Sequence, residues 1–344
     1  MDSEGCYDWL STMPAGGKPD KRWSGAFAQV GDTVYCMGGY SLNPTPPPPP
    51  STEEAIVSDR NQSYNIAANT WVDGLAVLPQ PAAFGAAAAN TAGDIFVVGG
   101  IDNNGVVLDT VQGYRPGADV WAAQAPIPVG RFSFAAAAIG DMIYVCGGLT
   151  DPVTNITANY SDAVYAYDSI ANTWSQPLPN LPQARRCHTM VSIGTKLYVL
   201  GGFYWDDVAG GGVDLKDVLE LDTADAAPAW AHVGDLPKDL AGHVAVVHQA
   251  TGKIYVMGGW SLDGVKYDVF EYDPATQTSK TCMVNGRSAQ AGWPNYWYFI
   301  GISGDLIAKI GGWGGASNAI LGTPHNGMHH FNQVYVYDVT KPDP

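Results

Sequence analysis

Three histidines, His325, His329 and His330, fall within the glycine-rich stretch Gly322-Thr323-Pro324-His325-Asn326-Gly327-Met328-His329-His330. Imidazole titrates near neutral pH, so such a group can bind a metal or move protons in acid–base catalysis. A surface loop without chemistry is the other reading of the same residues. Arg22, Arg131, Arg185 and Arg186 each open a short apolar stretch. A guanidinium there can hold a carboxylate or polarise a carbonyl, or can be spent on main-chain carbonyls. Trp23 and Phe132 adjoin two of these arginines, Tyr298 lies near the last such stretch, and Tyr40, Tyr204, Trp205, Trp260 and Trp313 follow Gly-Gly doublets. Aromatic side chains brought together with a few polar donors make either a plug or the wall of a small-molecule pocket. Arg131, Arg186, His325, His329 and His330 are therefore the candidate catalytic residues. Arg22, Trp23, Tyr40, Phe132, Trp205, Trp260, Tyr298 and Trp313 are the candidate substrate-binding residues.

Composition removes several classes of partner. The 344 residues carry 17 Lys+Arg against 33 Asp+Glu, a net charge of −16. Phosphate-rich partners need basic clusters, so neither nucleic acid nor an anionic membrane is expected. No apolar run is long enough to span a bilayer. Met1-Asp2-Ser3-Glu4 is acidic, with no basic or apolar leader region, so either the protein is not exported or a leader has been removed. There is no GxSxG, Walker or Rossmann motif. Asp206 and Asp207 are adjacent, and neighbours on a strand point to opposite faces. Of the cysteines, Cys36 and Cys146 sit where a small buried residue fits, and Cys6 and Cys282 could pair. No cofactor is expected; the partner expected is a small-molecule substrate.

The elements that would position these residues repeat. Six Gly-Gly doublets, beginning at Gly38, Gly99, Gly147, Gly201, Gly258 and Gly311, lie 61, 48, 54, 57 and 53 residues apart. Each closes a β-branched and aromatic run such as Ile143-Tyr144-Val145-Cys146, the pattern of a buried strand. Gly-Asp turns precede most of these runs, as hairpins require. A second strand ending in Tyr or Tyr-Asp follows, then a Trp (Trp71, Trp121, Trp174, Trp230), then Leu-Pro or a similar pair.

Repeated six times, strand, Gly-Gly, strand, Tyr-Asp, Trp and Arg resemble the kelch family over essentially the whole chain. The resemblance implies an all-β fold, a six-bladed β-propeller in one domain over 1–344. Blades are expected at about 22–80, 81–128, 129–182, 183–237 and 238–288, with the last made of 289–340 plus 6–12. The last repeat lacks its Trp strand and the N-terminus holds an orphan one, Tyr7-Asp8-Trp9-Leu10, so the two ends should join and leave no open edge. Departures are visible: Thr278-Ser279 replaces one Trp, and the second, fifth and sixth repeats lack Arg. Asp235-x3-Asp239-x3-His243 looks like the iron site of plant specifier proteins, with Asp in place of the first Glu; it is a weak metal candidate.

The long insertions, about 40–60, 150–161, 203–214 and 313–331, all follow a doublet and should crowd one face. The first holds the proline run Pro46 to Pro50, either a stiff surface loop or an SH3-type ligand. Sequons at Asn61, Asn155 and Asn159 lie in or beside insertions; as possible N-glycan sites they favour secretion over a cytoplasmic location. Stand-alone kelch-like propellers include sialic acid epimerases, specifier proteins and the hetero-Diels–Alderases of fungal tropolone sesquiterpenoid pathways. By architecture the resemblance implies a cofactor-free cyclase, isomerase or lyase of secondary metabolism with an aromatic pocket at the loop-rich mouth. A protein-interaction module binding a peptide or protein at that face is the alternative.

Overall fold

Each short apolar run is followed by a turn and by its own pairing partner, so the chain builds antiparallel sheets from consecutive strands. The computed structural model describes residues 10–12, 20, 22–42, 55–154, 156–176, 178–266, 268–283, 299–310, 313–314, 329–330 and 334–340; for 10–12, 42, 283, 313–314, 329–330 and 334–336 it describes the main chain alone. Six four-stranded sheets are present among these residues. In blade 1 they are Ala26–Val30, Thr33–Met37, Asn61–Asn65 and Thr70–Val72, running outward from the axis. Blades 2 to 5 repeat the order, with innermost strands Ala86–Ala89, Ala135–Ile139, Thr189–Ile193 and Val244–His248. Blade 6 combines Phe299–Ser303, Leu306–Ile310 and Val334–Asp338 with Leu10–Thr12, Leu10 lying opposite Val336 and Thr12 opposite Val334. The molecule is a six-bladed β-propeller closed by its N-terminal strand. Among the described residues no helix is long and apolar enough to cross a membrane.

The core lies between blades. Cys146, Val164 and Leu178 of blade 3 pack on Leu197 and Val199 of blade 4, and the same face-to-face burial recurs around the ring. Cys36 and Cys146 are fully buried here, and burial pushes both thiols up to about 12. Cys282 is also buried, whereas Cys6 lies outside the described residues. Tyr and Trp of the outer strands stack within blades 1 to 3, for example Tyr114 on Trp121 at 4.7 Å between centroids. The Trp121 and Trp174 indole N–H groups reach across to Ala76 O and Ala125 O of the preceding blade.

The seams between blades are main-chain structures. The second glycine of a doublet donates its N–H to a carbonyl of the next blade: Gly39 to Ala82 O, Gly100 to Arg131 O, Gly148 to Arg185 O and Gly202 to Leu240 O, at 2.7–2.8 Å. Gly147 and Gly148 have φ of +71° and +88°, and a Cβ on Gly148 would stand 2.7 Å from Phe132 O. Only glycine fits both the conformation and the approach. Two residues further on, Ser24, Phe84, Ser133, Cys187 and Gly242 all hold φ between +54° and +61°. The N–H groups of the last four each bind the carbonyl of the one before, at 2.7–2.8 Å. These residues form an annular chain of hydrogen bonds around the axis across five blades.

The position after this chain sets how the gap to the preceding blade is filled. Blades 1 and 2 have Gly25 and Gly85; blades 3, 4 and 5 insert the rings of Phe134, His188 and His243. Each ring lies on the first glycine of the preceding doublet: a Cβ there would stand 3.2 Å from Phe134 Cε1, 2.5 Å from His188 Cε1 and 3.1 Å from His243 Cε1. Both histidines are buried. Burial holds His243 down at about 4 and His188 well below its usual range, the latter aided by Arg185 and by His243 itself.

Two outcomes follow for stability. Gly148→Ala should cost on the order of 2–3 kcal/mol, through strain at positive φ and the close carbonyl, read as a lower denaturant midpoint at unchanged slope. The histidines bind fewer protons folded than unfolded, so their stabilising effect is complete above about pH 6.5 and is lost as pH falls toward 4. Thermal unfolding scans should show Tm falling steeply across that window, and His243→Phe, which copies Phe134, should flatten the fall.

Candidate functional site

Beyond each doublet the chain keeps pairing, which builds a short second tier above the blades. In blade 1, Trp23 lies opposite Tyr40 and Tyr40 opposite Val57. The equivalent trios are Ala83, Ile101 and Val107 in blade 2, then Phe132, Leu149 and Tyr160 in blade 3. In blade 4 they are Arg186, Phe203 and Asp214. In blade 5 they are Ala241, Trp260 and Val265. In blade 6 the main chain of Trp313 pairs with that of His330, and Gly314 with His329. Directly opposed residues share a face of the sheet, so each trio presents its side chains together.

The resulting crown is mostly aromatic. Trp23 stacks on Tyr40 with centroids 5.8 Å apart, Tyr40 meets Phe84 edge-on at 5.7 Å, and Phe84 meets Phe132 at 6.3 Å. On the other side Tyr160, Phe203 and Trp260 are in contact, with centroids 6.4 and 5.4 Å apart. Arg186 lies over both Phe203, at 5.2 Å, and Tyr160, at 5.8 Å. Its side chain is 6% exposed, its Nε has no hydrogen-bond partner, and no carboxylate pairs with it among the described residues. Burial raises the Tyr160 hydroxyl and the Cys187 thiol beside it, while the Arg186 charge pulls both the other way.

The other three arginines belong to the blades. Arg22 Nη1 donates to Gly38 O at 3.0 Å, Arg131 Nη1 to Gly147 O at 3.0 Å and Arg185 Nη1 to Gly201 O at 3.0 Å. Arg22 also holds Cys36 O and Gln62, and Arg185 makes a bidentate pair with Asp217 at 2.7 and 2.8 Å. All three are 1% exposed. In Arg22 and Arg131, expected as a substrate-binding and a catalytic residue, the guanidinium is bonded to the carbonyl of the first doublet glycine rather than turned to the crown rings that surround Arg186.

Trp23, Tyr40, Phe132 and Trp260 are brought together with Arg186. Trp205 packs against the same cluster, half-buried in the blade 4 hairpin, which runs on past the blade from Gly202–Asp206 to Gly211–Leu215. Tyr298 and His325 lie outside the described residues, and Trp313, His329 and His330 are placed by main chain alone. Sequence reasoning missed Phe84, Tyr160 and Phe203. Phe203 carried a usable signal, since it follows its doublet as Tyr40, Trp260 and Trp313 follow theirs; Phe84 and Tyr160 carried none.

Asp235, Asp239 and His243 do not converge. Asp235 is exposed and bonded to His232, whereas His243 is buried in the seam. Among the described residues no group of three His, Cys, Asp or Glu could hold a metal. At the Asn61 sequon, Asn61, Gln62 and Ser63 are buried in the third strand of blade 1. The Asn159 amide donates to Val153 O, and Asn155 lies outside the described residues. Beneath the crown the axial channel is a cavity of about 180 Å³, lined largely by small residues of the innermost strands.

The KLHDC2/KLHL20/DRC7 Kelch-repeats domain matches residues 124–312. Kelch-like protein 35 of Mus musculus is 31% identical over 185 residues, which is 54% of this chain and 28% of the mouse protein. Beta-scruin of Limulus polyphemus is 30% identical over 171 residues, 48% of this chain and 18% of that protein. Kelch-like protein terF of Aspergillus terreus is 31% identical over 209 residues, 58% of this chain and 42% of the fungal protein. The chain thus spans less than half the length of each of these relatives. With six doublet-closed blades, an arginine bound to the doublet carbonyl in three of them, and a family match over more than half its residues, the chain belongs to the kelch-repeat family.

Proposed function

We propose that this kelch propeller is a small-molecule enzyme whose crown takes an apolar ligand bearing an anionic or enolic oxygen. The proposed step is cofactor-free: a hetero-Diels–Alder cyclisation, or an isomerisation or elimination, in secondary metabolism. The observation that carries the reading is Arg186, a buried guanidinium held between aromatic rings with no carboxylate to neutralise it among the described residues. Such a charge is costly to maintain without an anionic partner. The aromatic faces supply dispersion contacts that orient a polyene against an enone and lower the entropic cost of their encounter. Charge developing on the enone oxygen would meet Arg186, which needs no reorganisation to receive it. His330, at the register position equivalent to Tyr160 and Asp214, is the candidate proton donor on the opposite side of the ring.

The axial channel is too small to house such a ligand, since ligand sites usually run to about 300–1,000 Å³. The ligand is therefore assigned to the crown above it. A thermal-shift screen with cinnamate, an uncharged enone, a sugar, divalent metals and an acidic peptide tests the reading. Cinnamate or the enone should raise Tm selectively. Arg186→Met should weaken that binding by about tenfold or more, near 1.4 kcal/mol. Arg131→Met should instead lower Tm while leaving the ligand-induced shift intact. No stabilisation by any small molecule, or a shift that survives Arg186→Met, would overturn it.

A further inference from the structure

We propose that the tips of blades 3, 4 and 5 form a docking wall for a basic segment of a partner protein, one that mixes Lys or Arg with aliphatic or aromatic side chains. The wall lies at the tips of loops whose bases carry the crown, and the inference does not depend on the function proposed for the crown pocket.

Three loops that need not touch are tied to one another here. The Thr157 hydroxyl of blade 3 donates to Trp205 O of blade 4 at 2.6 Å, and its N–H donates to the Asp207 carboxylate at 3.1 Å. The Asp207 N–H returns a bond to the Thr157 hydroxyl at 3.1 Å. On the far side, the Leu262 N–H of blade 5 donates to Asp214 of the blade 4 hairpin. Ordering loop tips costs conformational entropy, and these ties bury no blade core.

What the fixed tips present is apolar. Ile156 is 43% exposed, Val153 45%, Leu262 58% and Val208 99%. Aliphatic groups held on ordered loops of successive blades are a surface prepared for contact rather than packing. Between and beside them stand the exposed carboxylates of Asp151, Asp207, Asp239 and Asp263. Lys266 neutralises Asp263, and among the described residues no Lys or Arg pairs with the other three.

Charge selects the occupant. A second copy of this chain, at −16, would bring the same carboxylates and be repelled. An anionic lipid surface is excluded by the same sign. A basic segment gains steering from the carboxylates and burial from the aliphatic tips.

The test uses fluorescence anisotropy on the whole chain with three labelled peptides of equal length: Leu/Lys, Leu/Glu and Ser/Lys. The Leu/Lys peptide should bind, and more weakly at high salt. Combined Ile156→Ser, Val208→Ser and Leu262→Ser should weaken it by about tenfold or more at unchanged Tm, as loss of an interface core does. Asp207→Asn with Asp239→Asn should reduce the salt dependence. The crown ligand shift should be untouched by either set, which separates failure here from failure of the pocket reading. Equal binding of Leu/Glu or Ser/Lys, unchanged binding by the serine variant, no peptide binding, binding to phosphatidylserine vesicles, or self-association on sedimentation would each overturn the proposal.

Discussion

The structure depends on how one blade is fastened to the next at its inner edge. A doublet N–H binds a carbonyl of the following blade, and one turn closer to the axis the left-handed residues from Ser24 to Gly242 bind each other in sequence. These are main-chain bonds between groups that would otherwise be buried and unpaired, so their loss costs more than their formation gains. Because they ask nothing of most side chains, they hold blades of different sequence in one closed ring. The requirement they do impose is on glycine, at the two places where φ is positive and a carbonyl stands within reach.

That arrangement explains how the blades can be unequal without the ring failing. Position by position, the first tier of the crown reads Trp23, Ala83, Phe132, Arg186 and Ala241, each on the same main-chain scaffold. The gap-filling position reads Gly25, Gly85, Phe134, His188 and His243. In the first set variation changes what the mouth can bind; in the second it changes how tightly two blades seat and how that seating responds to acid. The structural arginines complete the division of labour. Where Arg is present it caps the first doublet carbonyl, and Leu240 and Ala82 show that a blade can manage without it.

Much of this was legible in the sequence. Doublet spacing, the Tyr and Trp strands and the orphan N-terminal strand specify six blades and their closure, because each signature reports a local main-chain need that repeats. The site was less legible. Whether an arginine faces a ligand or a carbonyl depends on a one-residue step, and Arg185 and Arg186 fall on opposite sides of it. The register that brings Tyr160 beside Arg186 runs through a single bridge at Leu149, which no periodicity announces. Asn61 shows the same limit: its sequon looks like a loop site, yet the residue is a buried position of the third strand of blade 1.

The annular bonds also decide where a ligand can sit. They cross the mouth end of the innermost strands and leave below them a channel of about 180 Å³, lined by alanines, glycines and serines together with Phe27, Phe134, His188, Met190 and His243. The larger of these side chains share the axial space with the small ones, and the room left between them is less than a ligand site usually needs. Above the bonds the second tier packs as a cluster of its own, built on Phe132, Leu149, Tyr160, Phe203 and Ala241 and distinct from the cores between blades. In that upper tier aromatic rings gather around the Arg186 guanidinium. The fold therefore separates the part that must be conserved for closure from the part free to acquire chemistry, with a single layer of main-chain hydrogen bonds between them.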